Sequence, residues 1–292
     1  MKNNPLFKDI TVLIVTHNAE NVLNNFLKSL NPEFKLVIVD NASTDNTRKI
    51  IKQYKTAKFK IILNEVGVGF GSGSNLGIKC INTKFTLLIN PDTTINLDAV
   101  KKLYQSAKLY KNAAILSPLH RNSKNEIHIP SRQFFFNKNR DRLTIENFKG
   151  DTSVEHLSGA VMLFNNEKIK KIGLFDENFF LYFEDDDLCI RTKKAGFENI
   201  LVFDAVIDHI AGGSIGPPNF KNQWEKFSNM SFSRCYIEKK YFGKLRAFKI
   251  STLIILKSIL KFIGHILIFK IKKLLRDLAY LYGALIYLVG NK

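Results

Sequence analysis

The first third of the chain alternates short apolar runs with amphipathic stretches. Four apolar runs predict strands, at Thr11–Thr16, Leu36–Asp40, Lys60–Leu63 and Phe85–Asn90. Four amphipathic stretches predict helices, at Ala19–Leu30, Thr44–Lys55, Ser74–Cys80 and Leu97–Tyr110. The apolar runs are continuous, which is typical of strands that are covered on both faces. Strands that alternate with helices predict a doubly wound α/β fold.

Polar side chains directly follow three of these strands. The segments are "THN" at Thr16–Asn18, "DNASTDNT" at Asp40–Thr47 and "NPDT" at Asn90–Thr93. Open α/β sheets bind ligands beyond the carboxyl ends of their strands. The sequence therefore predicts a ligand site at this edge of the sheet.

Beyond these elements the pattern is less regular. Lys111–Gly150, with its scattered basic residues, is interpreted as a linking segment. A strand-like pattern resumes at His156–Phe164. Asp187–Ala195 predicts a short helix, because Gly196 is a typical residue just past a helix end.

A break rich in Gly and Pro, "GGSIGPP" at Gly212–Pro218, precedes a basic tail. The predicted domains are residues 1–218 and residues 219–292. The formal net charge is +18, and thirteen Lys and Arg residues accompany only two acids between Arg234 and Lys292. A basic excess implies an anionic partner. Because the excess lies on an apolar tail, and not on loops interleaved with aromatic residues, nucleic acid is not the expected partner.

The tail predicts an amphipathic helix with basic edges. Lys257, Lys261 and His265 share one side of a helical wheel. The other side carries apolar residues: Leu256, Ile259, Phe262, Ile263 and Ile266. Such a helix suits the interface of an anionic membrane leaflet, and the alternative is a helix that packs on its own domain. No uninterrupted apolar run reaches about 18 residues, so a membrane span is not the first interpretation. Leu278–Val289 predicts a second, shallow re-entrant or docked helix.

Four features offer ligand-binding groups, and each has a plainer alternative. Acceptors in Asp40–Thr47 could bind a ribose or a base, or could only cap a helix. Glycines alternate in Asn64–Gly77, where backbone amides could approach a phosphate, or where the loop is only flexible. Asp92 could hold a divalent cation on a diphosphate, or form an ordinary turn. His209 could ligate a metal or touch phosphate, or pack as an ordinary histidine.

Six of the 26 acids crowd into twelve residues of the segment Gly173–Gly196, among aromatic side chains. They are Asp176, Glu177, Glu184, Asp185, Asp186 and Asp187. Crowding is expected to raise the pKa of at least one of them, as a general base requires. The alternative is helix-start acids favoured by the dipole, with Asp187 paired to Arg191. We assign Asp185 to chemistry and Asp187 to structure.

In this order, the segments resemble glycosyltransferase family 2, and most closely its rhamnosyltransferase-like members. The resemblance covers about Thr11 to Ser214. It rests on "VTHN", "IVDNASTDNT", the loop at 64–77, "NPDT", "LSGAVML", "GLFDENFFLYFEDDDLCIRTKKAG" and "DHIAGGS". It implies the GT-A fold, an α/β architecture with a doubly wound mixed sheet flanked by helices. Here a C-terminal helical, membrane-associating extension would follow.

The resemblance also assigns roles to individual residues. The nucleotide-sugar-binding positions are Thr16, Asn18, Asp40, Asn41, Asp45, Asn64, Gly69, Asn75 and Asn90. Asp92 would bind Mg²⁺ or Mn²⁺ as the last carboxylate of the usual Asp-x-Asp motif, with His209 as a further contact. The first position of that motif is Asn90 here, which removes one carboxylate. The sugar and acceptor pocket would be bordered by Gly159, Ala160 and Glu184. Asp185 is the implied general base, and Asp186 receives no role.

The implied reaction is a single inverting displacement by an acceptor hydroxyl on a nucleotide-diphosphate sugar, such as a rhamnose donor. A glycan or polyprenyl-linked acceptor in cell-surface polysaccharide synthesis would fit the tail. The expected location is the cytoplasm, peripheral on the inner face of the cell membrane, and three cysteines without a pairing pattern favour a reducing compartment. The alternative is a catalytically silent nucleotide-sugar-binding protein that serves as a membrane scaffold.

Overall fold

The structure is a computed structural model that describes residues 4–54, 56–134, 143–209 and 219–290. Its contacts divide the chain into two compact units. The first comprises Met1–Asp176 and Asp185–Gly216, and the second comprises Glu177–Glu184 and Pro217–Lys292. The domain break predicted at Gly212–Pro218 lies outside the described residues and stays a prediction.

The first unit is built on a ten-stranded sheet. Its strands are β1 (Ile10–Thr16), β2 (Lys35–Asn41), β3 (Phe59–Asn64), β4 (Phe85–Ile89), β5 (Thr93–Thr94), β6 (Ala113–Arg121), β7 (Ile127–His128), β8 (Thr152–Val154), β9 (Val161–Asn165) and β10 (Glu198–His209). Its helices are α1 (Pro5–Asp9), α2 (Glu20–Ser29), α3 (Thr47–Gln53), α4 (Phe70–Ile78), α5 (Leu97–Leu109), a 3₁₀ turn (Ile145–Asn147), α6 (Asn166–Ile172) and α7 (Glu184–Lys194).

The sheet is mixed, with the strand order β3-β2-β1-β4-β9-β6-β10-β5. Strands β3, β2, β1 and β4 run parallel, whereas β9 is antiparallel to both of its neighbours. All seven residues of β1 are buried, which explains the continuous apolar run there. The carboxyl ends of β1, β2, β4, β6 and β10 therefore share an edge with the beginning of β9.

Strand β6 corrects the interpretation of Lys111–Gly150 as a linking segment. Ala113 to His120 are all buried, and the strand pairs with β10 and β9. Ser117 and Pro118 interrupt the apolar pattern, and a proline removes one hydrogen bond from the ladder. The register with β10 shifts at this proline. A strand interrupted in this way has no clean sequence signature.

Helix α4 begins at Phe70, earlier than the predicted Ser74, so two of the alternating glycines lie inside a helix. A Cβ on Gly73 would lie 3.0 Å from Val15 Cγ1, and one on Gly77 would lie 2.2 Å from Leu13 Cδ1. These two glycines therefore let α4 lie directly on β1. Gly73 and Gly77 thus have a packing role, and contact of the loop with a ligand stays a prediction.

The second unit contains α8 (Phe220–Leu267), whose helical geometry is interrupted at Gly243, and α9 (Ile271–Val289). The two helices approach closely, because a Cβ on Gly283 would lie 2.1 Å from Ser228 O. Among the described residues, α8 is the one helix with the length and composition of a membrane span, with a mean hydropathy of 1.7 over its best window. This contrasts with the sequence interpretation, which required an uninterrupted apolar run.

His265 does not belong to the exposed basic edge that the helical wheel predicts. Its Nδ1 lies 2.5 Å from Asp277 Oδ2 on α9. Lys257 and Lys261 are exposed, as the wheel predicts. A buried carboxylate on the neighbouring helix gives His265 a partner that a single-helix projection cannot show.

Candidate active site

Asp40 lies near the carboxyl end of β2, beside Thr16 at the carboxyl end of the neighbouring strand β1. Its buried carboxylate accepts hydrogen bonds from Thr16 Oγ1 at 3.1 Å, Ser43 N at 3.1 Å and Arg48 Nε at 2.6 Å. A carboxylate has about four lone-pair sites, so roughly one remains for a ligand. Arg48 also donates to the backbone carbonyl of Asn64, and its hydrogen bond to Asp40 raises the pKa of its guanidinium. Arg48 therefore fixes Asp40 and links β2 to the end of β3.

Asn41 joins two further predicted nucleotide positions. Its Oδ1 accepts from Val68 N at 2.8 Å and from Asn64 Nδ2 at 3.3 Å, and its Nδ2 donates to Gly69 O at 3.1 Å. Gly69 adopts a φ of +86°, which favours glycine, immediately before α4. The structure thus brings Asn41, Asn64 and Gly69 into one hydrogen-bonded group.

Asn18 and Asp45 close the turns that follow β1 and β2. Asn18 Oδ1 accepts from Thr44 N at 2.8 Å. Asp45 accepts from Glu20 N at 3.2 Å and from Thr47 N at 3.0 Å. Both side chains serve as turn and cap acceptors, as the plainer alternative anticipates, and their contact with a nucleotide stays a prediction.

Asn75 makes a reciprocal pair with the backbone of Phe175. Its Nδ2 donates to Phe175 O at 2.9 Å, and its Oδ1 accepts from Phe175 N at 3.0 Å. The side chain is buried. Its amide fastens α4 to the loop after α6, and its predicted contact with a nucleotide stays a prediction.

The segment after β4 unites the predicted metal residues. Asn90 N donates to Ala160 O at 2.8 Å, which extends the pairing of β4 with β9. Asp92 is buried, and its Oδ1 lies 3.5 Å from His209 Nε2. The two meet because β5 pairs with β10, with Thr93 opposite His209. They lie more than 100 positions apart in the sequence.

A buried histidine on β6 stands behind this pair. The His120 ring centroid lies 5.1 Å from that of His209 and 5.8 Å from that of His128. Burial, together with those two histidines, lowers the pKa of His120 to about 3. His120 is therefore neutral at physiological pH. Sequence reasoning missed it because β6 was interpreted as a linker.

Asp185, the predicted base, lies in the first turn of α7. Its Oδ2 accepts from Gly159 N at 3.1 Å and lies 3.3 Å from His156 Nε2. A Cβ on Gly159 would lie 3.6 Å from Asp185 Cβ, so the two residues are in van der Waals range of one another. The side chain remains 19% exposed. Gly159 and Ala160 border Asp185 on one side and Asn90 on the other.

Two neighbouring carboxyl groups have opposite pKa shifts. Burial acts to raise the pKa of Asp185, but His156, Arg132 and the Gly159 amide outweigh it and hold that pKa well below its usual range. Burial raises the pKa of Asp186, and the charge of Asp185 adds to the effect. The raised pKa expected from crowding therefore belongs to Asp186, because it is 0% exposed and its burial outweighs the opposing effect of His156 and Arg132 on its pKa.

The structural role predicted for Asp187 is confirmed. Arg191 Nε donates to Asp187 Oδ2 at 2.8 Å, one turn apart on α7. The same guanidinium donates to the carbonyls of Gly173 and Leu174. Glu184, predicted to border the pocket, is buried and belongs by its contacts to the second unit.

Residues 11–173 match the family model described as "Glycosyl transferase family 2". The chain belongs to glycosyl transferase family 2.

Relatives within this family are similar at low identity. The chain is 24% identical over 235 residues to "Low-salt glycan biosynthesis hexosyltransferase Agl10" of Haloferax volcanii, covering 76% of this chain and 73% of that protein. It is 24% identical over 208 residues to "Rhamnosyltransferase WbbL" of Escherichia coli, covering 64% and 78%. It is also 24% identical over 243 residues to "N-acetylglucosaminyl-diphospho-decaprenol L-rhamnosyltransferase" of Mycobacterium tuberculosis, covering 71% and 78%.

Solved structures confirm the GT-A fold of this family 2 chain. Mannosyltransferase PcManGT from Pyrobaculum calidifontis, solved with GDP-Man and Mn²⁺, has a TM-score of 0.57 at 11% identity, over 97% of this chain and 88% of that one. TarS 1–349 of S. aureus, solved with UDP, has a TM-score of 0.53 at 17% identity, over 76% of this chain. The present chain spans 64% of that TarS fragment.

The sequence did not predict one cluster of side chains in this family 2 chain. Among the described residues, one group offers three metal-type ligands within 4.8 Å of one another, namely His156, Asp185 and Asp186. Arg132 NH2 lies 2.5 Å from Asp186 Oδ2 and already supplies a positive charge there. His156 and Arg132 carry no local motif, because one precedes a strand and the other lies in the segment interpreted as a linker.

Proposed function

We propose that the chain is an inverting glycosyltransferase that moves a sugar from a nucleotide-diphosphate donor to a hydroxyl of a glycan or lipid-linked acceptor. The observation that carries this proposal is the convergence of Asp40, the Asp92–His209 pair and Asp185 on one sheet edge. Asn90 connects the last two, because it lies two residues before Asp92 and its backbone amide donates to Ala160 O beside the Gly159–Asp185 contact. Membership of glycosyl transferase family 2 supports the same chemistry.

Asp185 is the proposed general base. A proton passes from the acceptor hydroxyl to an Asp185 oxygen as that hydroxyl oxygen bonds to the anomeric carbon. The bond from this carbon to the diphosphate oxygen breaks, and the nucleoside diphosphate leaves with the electron pair. The configuration at the carbon therefore inverts. The lowered pKa keeps Asp185 ionised at neutral pH, and its partial exposure leaves room for a hydroxyl to reach it.

The donor would lie against the ends of β1, β2 and β3. Asp40 is held by Arg48 and Thr16, and Asn41 is held by the loop before α4, so these acceptors are already ordered before a nucleotide binds. The names of the relatives support a hexose or rhamnose as the sugar and a polyprenyl-diphosphate-linked glycan as the acceptor.

Asp92 and His209 would hold the divalent cation. A carboxylate oxygen and an imidazole nitrogen 3.5 Å apart fit Mn²⁺, and Mg²⁺ is also compatible when substrate phosphates supply further oxygens. When bound, the ion would offset negative charge on the leaving diphosphate. The Mn²⁺ in the PcManGT structure supports this assignment.

The second unit would hold the enzyme on the cytoplasmic face of an anionic membrane. Support comes from large apolar side chains that are exposed on α8 and α9. They include Leu245, Phe248, Leu256, Leu260, Ile263, Leu267, Leu285 and Val289. Exposed lysines at positions 257 and 261 lie among them. Peripheral insertion of an apolar face with basic edges accounts for both features.

The test begins with a donor screen of the full-length protein. UDP-, GDP- and dTDP-sugars are compared by thermal shift with Mg²⁺ or Mn²⁺, and the stabilising donor is then offered to lipid-linked acceptors. Asp185→Asn should lower the transfer rate at least about a hundredfold while donor binding is unchanged, because a general base typically contributes that much. Asp98→Asn is the matched control, since Asp98 is an exposed acid on α5 whose partner is Lys102.

The competing function is a silent nucleotide-sugar-binding scaffold. Donor stabilisation without transfer or donor hydrolysis, in the parent chain and with every acceptor offered, would favour the scaffold. Equal transfer rates for the parent and Asp185→Asn would instead retain the enzyme and reject its proposed base.

A further inference from the structure

Three side chains and the proposed base form a continuous line of contacts. Arg132 Nη2 lies 2.5 Å from Asp186 Oδ2, and His156 Nε2 lies 3.9 Å from that same oxygen. His156 Nε2 also lies 3.3 Å from Asp185 Oδ2. Nitrogen-bearing side chains and carboxylates therefore alternate along the line, from the half-exposed Arg132 through the buried Asp186 and His156 to the partly exposed Asp185.

His156 is the buried centre of this line. Its side chain is 5% exposed, and its Nε2 lies within 4 Å of an oxygen of each carboxylate, at 3.3 Å from Asp185 Oδ2 and 3.9 Å from Asp186 Oδ2. The contacts of His156 with both carboxylates are therefore made through Nε2. Because Asp186 is fully buried and bound to Arg132, it gives the imidazole a second fixed neighbour besides Asp185.

A metal ion is a poorer interpretation of the same residues. An ion held by His156, Asp185 and Asp186 would lie beside Arg132, whose guanidinium keeps its charge in proteins. It would also occupy the lone pairs that Asp185 needs to accept a proton. The arrangement is better suited to controlling a carboxylate than to binding a cation.

We propose that His156 is the positioning residue of the base: it keeps Asp185 ionised and fixes its orientation, while Asp186 and Arg132 hold His156 in place. This inference rests on the proposed function, and it gives Asp186 the role that the family resemblance leaves open. The charged and titratable groups that face Asp185 are His156, Arg132, Asp186 and the buried thiol of Cys189.

The test compares His156→Leu, which removes the nitrogen, with His156→Gln, which keeps an uncharged donor. A base works only when it is deprotonated, so loss of the Nε2 contact to Asp185 Oδ2 should move the acidic limb of the pH profile of kcat to higher pH. The expected shift in His156→Leu is about one pH unit or more, and that in His156→Gln should be smaller. The KM for the donor should stay unchanged in both variants. If the acidic limb of kcat lies at the same pH in the parent and in both variants, the inference is overturned.

A second measurement separates this inference from the proposed function. Aspartate carbonyl and carboxyl carbons are labelled with ¹³C in the full-length protein, and Asp185→Asn identifies the Asp185 carboxyl signal. In the parent that signal should titrate below the usual aspartate range, and in His156→Leu it should titrate at higher pH. Unchanged titration would reject the positioning role, whether or not transfer is observed. Absence of transfer in the parent would reject the proposed function alone.

Discussion

The two units bury opposite kinds of side chain. The interior of the first unit holds large apolar residues, such as Phe26, Phe85 and Phe164. The buried positions of α8 and α9 are mostly small or polar: Ser231, Ser233, Ala247, Ser251, Ser258, Ala279 and Ala284. The large apolar residues of these two helices are exposed instead.

This difference teaches how each unit is stabilised. Burial of apolar surface drives folding of the first unit in water, at about 25 cal/mol per Å². Close approach of small residues is how helices associate where the surroundings are as apolar as the side chains. The small buried residues and exposed large apolar residues of the second unit are consistent with the proposal that an apolar environment covers its outside.

A single glycine-to-alanine substitution in each unit should produce the largest expected effect, a loss of stability. Gly77→Ala places a Cβ against the buried Leu13, and Gly283→Ala places one against the backbone of Ser228. Each is expected to cost about 3 kcal/mol in unfolding free energy, at the upper end for overpacking. Gly264→Ala is the matched control, because nothing lies within 4 Å of its added Cβ. The measurement is thermal unfolding of the full-length protein in mild detergent. Identical melting temperatures for all three variants would contradict tight packing in either unit.

The second-largest expected effect is weaker membrane binding after the loss of two exposed lysines. Each basic residue near an anionic surface contributes about 1 kcal/mol, so Lys257→Gln with Lys261→Gln should reduce binding about thirtyfold. The assay is co-sedimentation with vesicles that contain phosphatidylglycerol, at low salt. Lys101→Gln with Lys124→Gln, both in the first unit, is the control pair. If both pairs weaken binding equally, the second unit is not the specific membrane surface.

Removal of the buried Asp92 carboxylate from the first unit should weaken metal binding. Asp92→Asn is expected to weaken Mn²⁺-dependent donor binding at least tenfold, since even indirect partners of metal ligands typically cost about that much. Asp208→Asn is the control, because Asp208 is an exposed acid next to His209 with Arg121 as its partner. Isothermal titration with the stabilising donor, with and without Mn²⁺, gives the comparison. Unaltered Mn²⁺ dependence in Asp92→Asn would remove Asp92 from the metal site.

The smallest expected effect concerns the buried histidine of the first unit. The pKa of His120 falls to about 3 on folding. Between pH 6.5 and 3, His120 is therefore protonated in the unfolded chain and neutral in the folded chain. The free energy of unfolding is therefore highest above pH 6.5 and decreases as the pH falls, by about 0.8 kcal/mol at pH 6. His120→Phe should flatten this dependence in urea titrations with EDTA present. The same slope in parent and variant would show that His120 is not the group responsible.

The apolar pattern by itself determined the first half of the fold. Continuous runs predict β1 to β4 within one or two residues, because parallel strands covered on both faces must be apolar along their length. The polar residues that follow these strands lie at one edge of the sheet, where the sequence predicts a ligand site, since the carboxyl ends of parallel strands align. Asp187 and Arg191 could also be paired in advance, because a helix brings residues i and i+4 together.

Only the tertiary structure decided the surroundings of the base. Arg132, His156 and Asp185 come from three separate segments, and no local period connects them. Asp92 meets His209 through a two-residue strand that is too short to leave a pattern. His265 meets Asp277 only because two helices pack together. Local periodicity reports the element to which a residue belongs, whereas pKa shifts and ligand pairs depend on which elements become neighbours.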